Sequence, residues 1–325
     1  MESSLAKLEL LLSESGQMGM EGPQCPKWKW FLGLQDLSIQ GYPSNGWLGK
    51  WDPFPPGLRR LKVSKGGKIP ISTLLKALGG LPNLHVLNLD HCSLEQPPVL
   101  QQTDGITMTN IEELEVTRML TDDIRALISQ VHTPNLTSLS ITYPVDRGLN
   151  IAKILIPFTK AHPELRSLQI RECTIAKNEW SSILQNVASL NHLAIRASDL
   201  RDEDLRGLAL GFLPIVPNMT HLTLENELRL TTSLVEQVVR THPQVVSVIL
   251  RGWNASNVSQ ANVSAISRLV SHVEIQTFGN PEDEDCVGSE RGDEGWNDSY
   301  WEGSDFSEDD GWLSGDEAVV AKGRL

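Results

Sequence analysis

Apolar residues recur along the chain in a short pattern that is typical of a strand followed by a turn. The clearest copy runs Leu84-x-x-Leu87-x-Leu89-x-x-Cys92-x-Leu94. Because alternate side chains of a strand point to opposite faces, the second and third apolar positions share one face. A second copy has the same spacing and comprises Leu165, Leu168, Ile170, Cys173 and Ile175. Each copy therefore predicts a strand with one buried face.

The pattern repeats at intervals of 24 to 29 residues through most of the chain. Its first apolar positions are Leu34, Leu58, Leu84, Ile111, Leu136, Leu165, Leu190, Met219, Val245 and Val270. A proline two residues earlier marks many of these starts, since proline ends a helix and favours an extended chain. This spacing lies in the range of leucine-rich repeats, whose stacked units bury a continuous core that no single unit could bury.

Five of the segments between the strands carry apolar residues at i, i+3, i+4 and i+7, which predicts amphipathic helices. The quartets begin at Ile71, Ile124, Ile151, Trp180 and Leu205. Residues 96–106 lack such a quartet, so a loop or short turn is expected there. We also expect a short helix from Ser4 to about Leu12.

These elements predict an α/β leucine-rich-repeat solenoid, a horseshoe with parallel strands on the concave face and helices on the convex face. Residues 1–31 are expected to hold the N-terminal helix, a linker and a cap that includes Trp28, Trp30 and Phe31. Residues 32–279 would form about ten repeats. Residues 280–325 are acidic, contain scattered aromatics and lack apolar periodicity, which predicts a disordered tail.

The charge of the chain is concentrated in that tail. The protein has a formal net charge of −13, and residues 282–317 hold 15 acidic residues against one base, Arg291. The preceding part is close to neutral, so nucleic acid is an unlikely partner. No long apolar run indicates a membrane span, and no secretory signal is recognisable. Cys92 and Cys173 occupy the repeat's own cysteine position, which predicts buried thiols. Together with the missing signal, this predicts a cytoplasmic and/or nuclear protein.

The sequence contains no phosphate-binding loop, catalytic motif or metal-spaced Cys/His cluster, so we expect no enzymatic activity and no cofactor. The residues flanking the buried strand positions should instead form a partner-binding surface on the concave face. Its candidate residues are Arg60, Lys62, Asn88, Asp90, Glu113, Glu115, Arg171, His192, Arg196, His221, Glu225 and Arg251. Within this set, Arg171, Arg196 and Arg251 could form a basic column, and His192 lies beside His221.

The segments LPNLHVLNLDHC and HPELRSLQIREC resemble the irregular, cysteine-containing leucine-rich repeats of fungal F-box proteins. The resemblance covers about residues 32–279, whereas residues 1–33 contain no recognisable F-box. It implies a non-enzymatic protein–protein interaction scaffold, in particular the substrate-recognition subunit of a cullin-type ubiquitin ligase that docks on the ligase adaptor. The alternative is a Ran-type GTPase-activating protein, since those proteins also join a leucine-rich array to an acidic tail.

Overall fold

The computed structural model describes most of the repeat region and none of the acidic tail. The described residues are 6–11, 33–41, 54–95, 105–142, 144–146, 150–176, 179–196, 200–210, 215–225 and 229–278. The chain divides into two units, Met1–Gly279 and Asn280–Leu325. The predicted N-terminal aromatic cap and the disordered tail therefore lie outside the described residues and stay predictions.

Eleven parallel strands form one sheet in the order β1-β2-β3-β4-β6-β8-β9-β10-β11-β12-β13, and β5 pairs with β7 in a second sheet. The strands are β1 (Lys7–Leu11), β2 (Asp36–Gln40), β3 (Arg60–Pro70), β4 (Val86–Glu95), β5 (Ile106–Thr107), β6 (Glu113–Thr117), β7 (Val131–His132), β8 (Ser138–Thr142), β9 (Ser167–Arg171), β10 (His192–Arg196), β11 (His221–Glu225), β12 (Ser247–Asn254) and β13 (His272–Phe278). The helices are α1 (Ile71–Gly79), α2 (Thr121–Gln130), α3 (Ala152–Ala161), α4 (Glu179–Leu184), α5 (Asp202–Leu210), α6 (Thr232–Thr241) and α7 (Gln260–Leu269). The fold is a leucine-rich-repeat solenoid, as the sequence predicts.

The core is a set of apolar ladders that run from repeat to repeat. Leu168 of β9 pairs in register with Leu139 of β8 and Leu193 of β10, and all three are 0% exposed. The helical quartets face the same core, where Ile154 and Leu155 of α3 are buried. Burying an aliphatic side chain of this size stabilises the fold by roughly 1.5–3 kcal/mol. Each repeat thus depends on its neighbours for its stability.

A ladder of side-chain amides joins successive repeats at the turn that precedes each strand. Asn83 Nδ2 donates to the carbonyl of Pro56 at 2.8 Å, and Asn135 Nδ2 donates to Thr109 at 2.6 Å. The same contact is made by Asn110, Asn218 and Gln244. Because each bond spans one repeat, the ladder fixes the stacking of the turns. The sequence indicates this ladder by the recurring Pro-Asn before a strand. The prediction of the strand starts used only the proline of that pair.

The turns near the ends of β4 and β12 and after β9 are closed by a buried donor that reaches the preceding repeat. Cys92 Sγ lies 3.5 Å from the carbonyl of Val63, and Trp253 Nε1 donates to Leu224 at 3.3 Å. Cys173 makes the equivalent contact to Ile141. Burial raises the pKa of both thiols to about 12. The prediction of buried structural thiols is confirmed, since Cys92 and Cys173 are free and buried.

One predicted element is wrong, and two helices were not predicted. The helix expected from Ser4 to Leu12 is wrong, because Lys7–Leu11 forms β1 and pairs in parallel with Asp36–Gln40. The reason is visible in the sequence, where Leu5-x-x-Leu8-x-Leu10 repeats the strand pattern of the later units. The array thus begins before residue 32. All five predicted helices are present, but α6 and α7 were not predicted from the sequence.

Candidate interaction surface

The solvent-facing side of the 11-stranded sheet, which we call the strand face, carries all the candidate residues named from the sequence. Strand register arranges them in three rows across the sheet. Row 1 contains Arg60, Glu113, His192 and His221. Row 2 contains Lys62, Asn88 and Glu115. Row 3 contains Asp90, Arg171, Arg196, Glu225 and Arg251.

The residue after row 3 has a positive φ in six of the described repeats, whereas in β13 Thr277 continues the strand. Its members are Gly41, Lys65, His91, Arg118, Glu172 and Gly252. This conformation is unusual for residues with a Cβ atom and ends each strand sharply. It brings Arg118 onto Asp90 one repeat earlier, with two hydrogen bonds of 2.9 and 2.6 Å. This hydrogen bonding, above all, raises the pKa of Arg118.

The expected basic column of Arg171, Arg196 and Arg251 is not a basic patch, because each guanidinium meets a carboxylate. Arg171 and Arg251 approach Glu225 at 3.9 and 3.7 Å from its two sides. Arg251 also binds Glu274 at 3.0 Å, and Arg196 binds Glu172 at 2.9 Å. The hydrogen bond from Arg251 lowers the pKa of Glu274. This end of row 3 is therefore a charge-balanced network of three arginines and three glutamates.

His192 and His221 are neighbours in row 1, as the sequence predicts. Their ring centroids are 6.2 Å apart with the ring planes at 78°, and Ser167 Oγ lies 3.4 Å from His192 Nδ1. Partial burial, followed by the positive charges that His221 and Arg171 can carry, lowers the pKa of His192. The described residues contain no group of three or more His, Cys, Asp or Glu side chains that could hold a metal ion.

The charged side chains without an ion pair lie near the N-terminal end of the strand face. Arg60 and Lys62 project from β3, and Glu113 and Glu115 project from β6, with β4 between them. Asn88 of β4 donates to Glu115 at 2.6 Å. Within the described repeats no ion pair joins Arg60, Lys62 or Glu113 to another residue. The charges of Arg60, Lys62 and Glu113 are therefore available to a partner.

The middle of row 2 contributes small or apolar residues that the charge pattern of the sequence did not identify. Ala194 is 3% exposed and Thr223 is 8% exposed, and Ile249 follows in the same row. Taller side chains of rows 1 and 3 surround them on both sides. The result is a shallow floor bounded by imidazoles in one row and by ion pairs in the other.

A polar recess of about 270 Å³ lies at the N-terminal ends of β2, β3 and β4. Its lining includes Arg59, Asn83 and His85. Asn83 belongs to the amide ladder, and His85 Nδ1 lies 2.6 Å from the carbonyl of Asn83. Since these polar groups already bond to the protein, the recess is part of the turn structure.

No helix in the described part of the chain is long and apolar enough to cross a membrane.

Comparison with known proteins finds only distant similarities, among solved structures. Sequence comparison finds no matching protein family and no matching relative among the curated proteins. Among solved structures, internalin C2 of Listeria monocytogenes is 15% identical with a TM-score of 0.35, covering 62% of this chain and 74% of the internalin. The leucine-rich-repeat protein LegL7 of Legionella pneumophila is 12% identical with a TM-score of 0.38, covering 82% and 97%. A chain of the yeast Rad7–Elc1 complex is 14% identical with a TM-score of 0.28, covering 71% and 76%.

Proposed function

We propose that this chain is a protein–protein interaction scaffold that binds its partner through the strand face. The observation that carries the proposal is the set of free charges on β3 and β6, Arg60, Lys62 and Glu113, which lie on the same face of the sheet as the shallow floor of Ala194 and Thr223. A broad surface with complementary charges selects a protein partner and steers its approach. The apolar residues of the helices instead pack in the core.

Site-specific photo-crosslinking in the full chain tests this proposal. A benzoylphenylalanine is placed at Lys62 on the strand face, and the matched control carries it at Lys160 on α3, since both lysines are exposed. After irradiation in the protein's own cells, adducts are identified by mass spectrometry. We expect specific adducts from position 62 and none shared with position 160. Specific adducts only from position 160 would reject the strand face as the binding surface.

The finer proposal is that the bound protein is a substrate of a cullin-type ubiquitin ligase. It is supported by the resemblance of the repeat segments to fungal F-box proteins, and not by a recognisable F-box. Affinity purification of the tagged full chain should then recover the ligase adaptor together with the partner. Recovery of the partner without the adaptor would leave the scaffold proposal intact and remove the ligase.

The Ran-type GTPase-activating alternative rests on the acidic tail, which lies outside the described residues. The arginines at the C-terminal end of row 3 are engaged with Glu172, Glu225 and Glu274, which argues against a free catalytic arginine there. A single-turnover assay of GTP hydrolysis by Ran, with and without this chain, distinguishes the alternatives. Acceleration of hydrolysis would replace the scaffold proposal.

A further inference from the structure

The C-terminal repeat leaves its part of the core less covered than the repeat that precedes it. The core-facing residues of β12, Val248 and Leu250, are both 0% exposed. Their neighbours in β13, Val273 and Ile275, are only partly buried. Helix α6 buries five residues, whereas α7 buries only Ile266. A repeat array normally requires a covering element at each end to be stable and soluble.

The open side of β13 also presents unpaired backbone groups. His272 N–H donates to Val246 of the preceding turn at 3.0 Å. Because backbone groups alternate in direction along a strand, those of 273, 275 and 277 point away from β12. Among the described residues no strand pairs with this side, since β13 is the last strand of the sheet. β13 contains neither proline nor lysine, the residues that commonly protect an edge from pairing.

We propose that this edge is a self-association surface, at which β13 of two copies pair antiparallel about a twofold axis through Ile275. In that register Ile275 faces its own symmetry mate, and Val273 faces Thr277. Glu274 faces the neutral Gln276 of the second copy. Facing residues in such pairs exchange backbone hydrogen bonds or pack side by side. The partly buried Val273 and Ile275 of the two copies then cover each other. The helices of both copies lie on the same side of the joined sheet.

Charge disfavours two competing arrangements of this edge. An axis through Glu274 would place two glutamates directly opposite each other, which is destabilising. Head-to-tail pairing of β13 with β1 of another copy, in continuation of the solenoid register, would set Glu274 beside Glu9. That arrangement also repeats without closing and would give filaments. The twofold pair avoids both contacts and closes after two copies.

The test measures the mass of the full-length chain by sedimentation velocity over a concentration series. The buffer contains about 0.15 M salt, which screens repulsion between the acidic segments of two copies. We expect a monomer–dimer equilibrium that approaches twice the 36.0 kDa mass of one chain. A monomer at every concentration up to about 100 µM, a range in which weak interfaces still associate, would overturn the proposal.

Two proline variants locate the interface. Thr277→Pro removes an outward N–H at an exposed position of β13 and should raise the dissociation constant at least about tenfold. Glu9→Pro is the matched control, since Glu9 is exposed and its backbone points to the open side of β1. It should leave the dimer intact. Circular dichroism checks that both variants fold. A folded Thr277→Pro variant with an unchanged dissociation constant, or loss of association only in Glu9→Pro, would overturn the assignment.

Discussion

At the scale of single residues, the repeats depend on backbone positions that few side chains tolerate. Lys65, His91, Arg118 and Glu172 all have φ values of 51–53°. A residue with a Cβ atom in this conformation costs about 1–2 kcal/mol, and the turn after each strand imposes it. The buried donors Cys92 and Cys173 then close the turns of His91 and Glu172. Geometry in the turns, rather than the leucines alone, fixes where each strand ends.

Lys65 gives a direct test of this backbone strain, since its side chain is exposed and makes no ion pair within the described repeats. Lys65→Gly should leave the free energy of unfolding unchanged or raise it by up to about 1 kcal/mol, because glycine relieves the strain. Lys65→Val should lower it by about 1–2 kcal/mol. Urea denaturation measures both. The control is Lys62→Gly in the extended part of β3, which should destabilise, and a stabilising effect there would contradict the explanation.

His242 predicts a dependence of stability on pH. It is 0% exposed at the end of α6, its Nδ1 lies 2.9 Å from the carbonyl of Val238, and burial lowers its pKa from 6.5. The unfolded chain therefore gains this proton at higher pH than the folded chain. Neutral His242 therefore contributes to the free energy of unfolding above pH 6.5. That contribution is lost as the pH falls through 6.5 toward the pKa of His242 in the folded chain.

Unfolding free energies at pH 7.5 and 5.5 test this dependence. The wild-type chain should lose more stability between these values than His242→Asn, whose amide can donate to the same carbonyl without titrating. An equal loss in both proteins would show that His242 does not contribute.

At the scale of elements, successive repeats supply each other's helix caps. Thr231 Oγ1 accepts a hydrogen bond from Leu234 N at the start of α6 and donates to Asp202 Oδ2 at 2.7 Å. Asp202 belongs to α5, one repeat earlier, and also accepts from Thr231 N at 2.8 Å. Asp146 serves α2 in the opposite direction, accepting from Thr121 N at 2.9 Å. Helix starts are therefore coupled between repeats.

Removing this cap should weaken the array by a measurable amount. Thr231→Ala loses the oxygen that both caps α6 and binds Asp202, and should cost about 1–2 kcal/mol of unfolding free energy. Thr231→Ser keeps that oxygen and should cost less than half as much. Thermal and urea denaturation of the two variants compare them. Equal losses would show that the methyl packing of Thr231, rather than the cap, carries its contribution.

The sequence predicts those elements whose apolar spacing is regular. Leu84, Leu87 and Leu89 predict β4, and Ile71 through Leu78 predict α1, because burial alone dictates both periods. It misses β1, whose leucines were interpreted as a helical face. It also misses the ion pairs of Glu225, since whether Arg171 and Arg251 are free depends on side-chain conformations that spacing does not determine.

At the scale of the whole molecule, each inner repeat is stabilised by two neighbours, whereas the first and last repeats among the described residues have one each. Val248 and Val273 show this difference, because they are paired in register on adjacent strands and differ in exposure. Val248→Ala should cost about 1–3 kcal/mol, and Val273→Ala about half as much when measured on dilute monomer. Equal costs would mean that another part of the chain covers Val273.

Partner binding by the strand face depends, in our proposal, on the free charges of that face. The most direct test uses the partner captured at position 62 and measures affinity by titration calorimetry. The variants are Arg60→Glu with Lys62→Glu on β3, and Lys153→Glu with Lys160→Glu on α3 as a matched control. Reversal of the β3 charges should weaken binding at least about tenfold, and more strongly at low salt. Full affinity in the β3 variant, together with loss in the α3 variant, would contradict the claim.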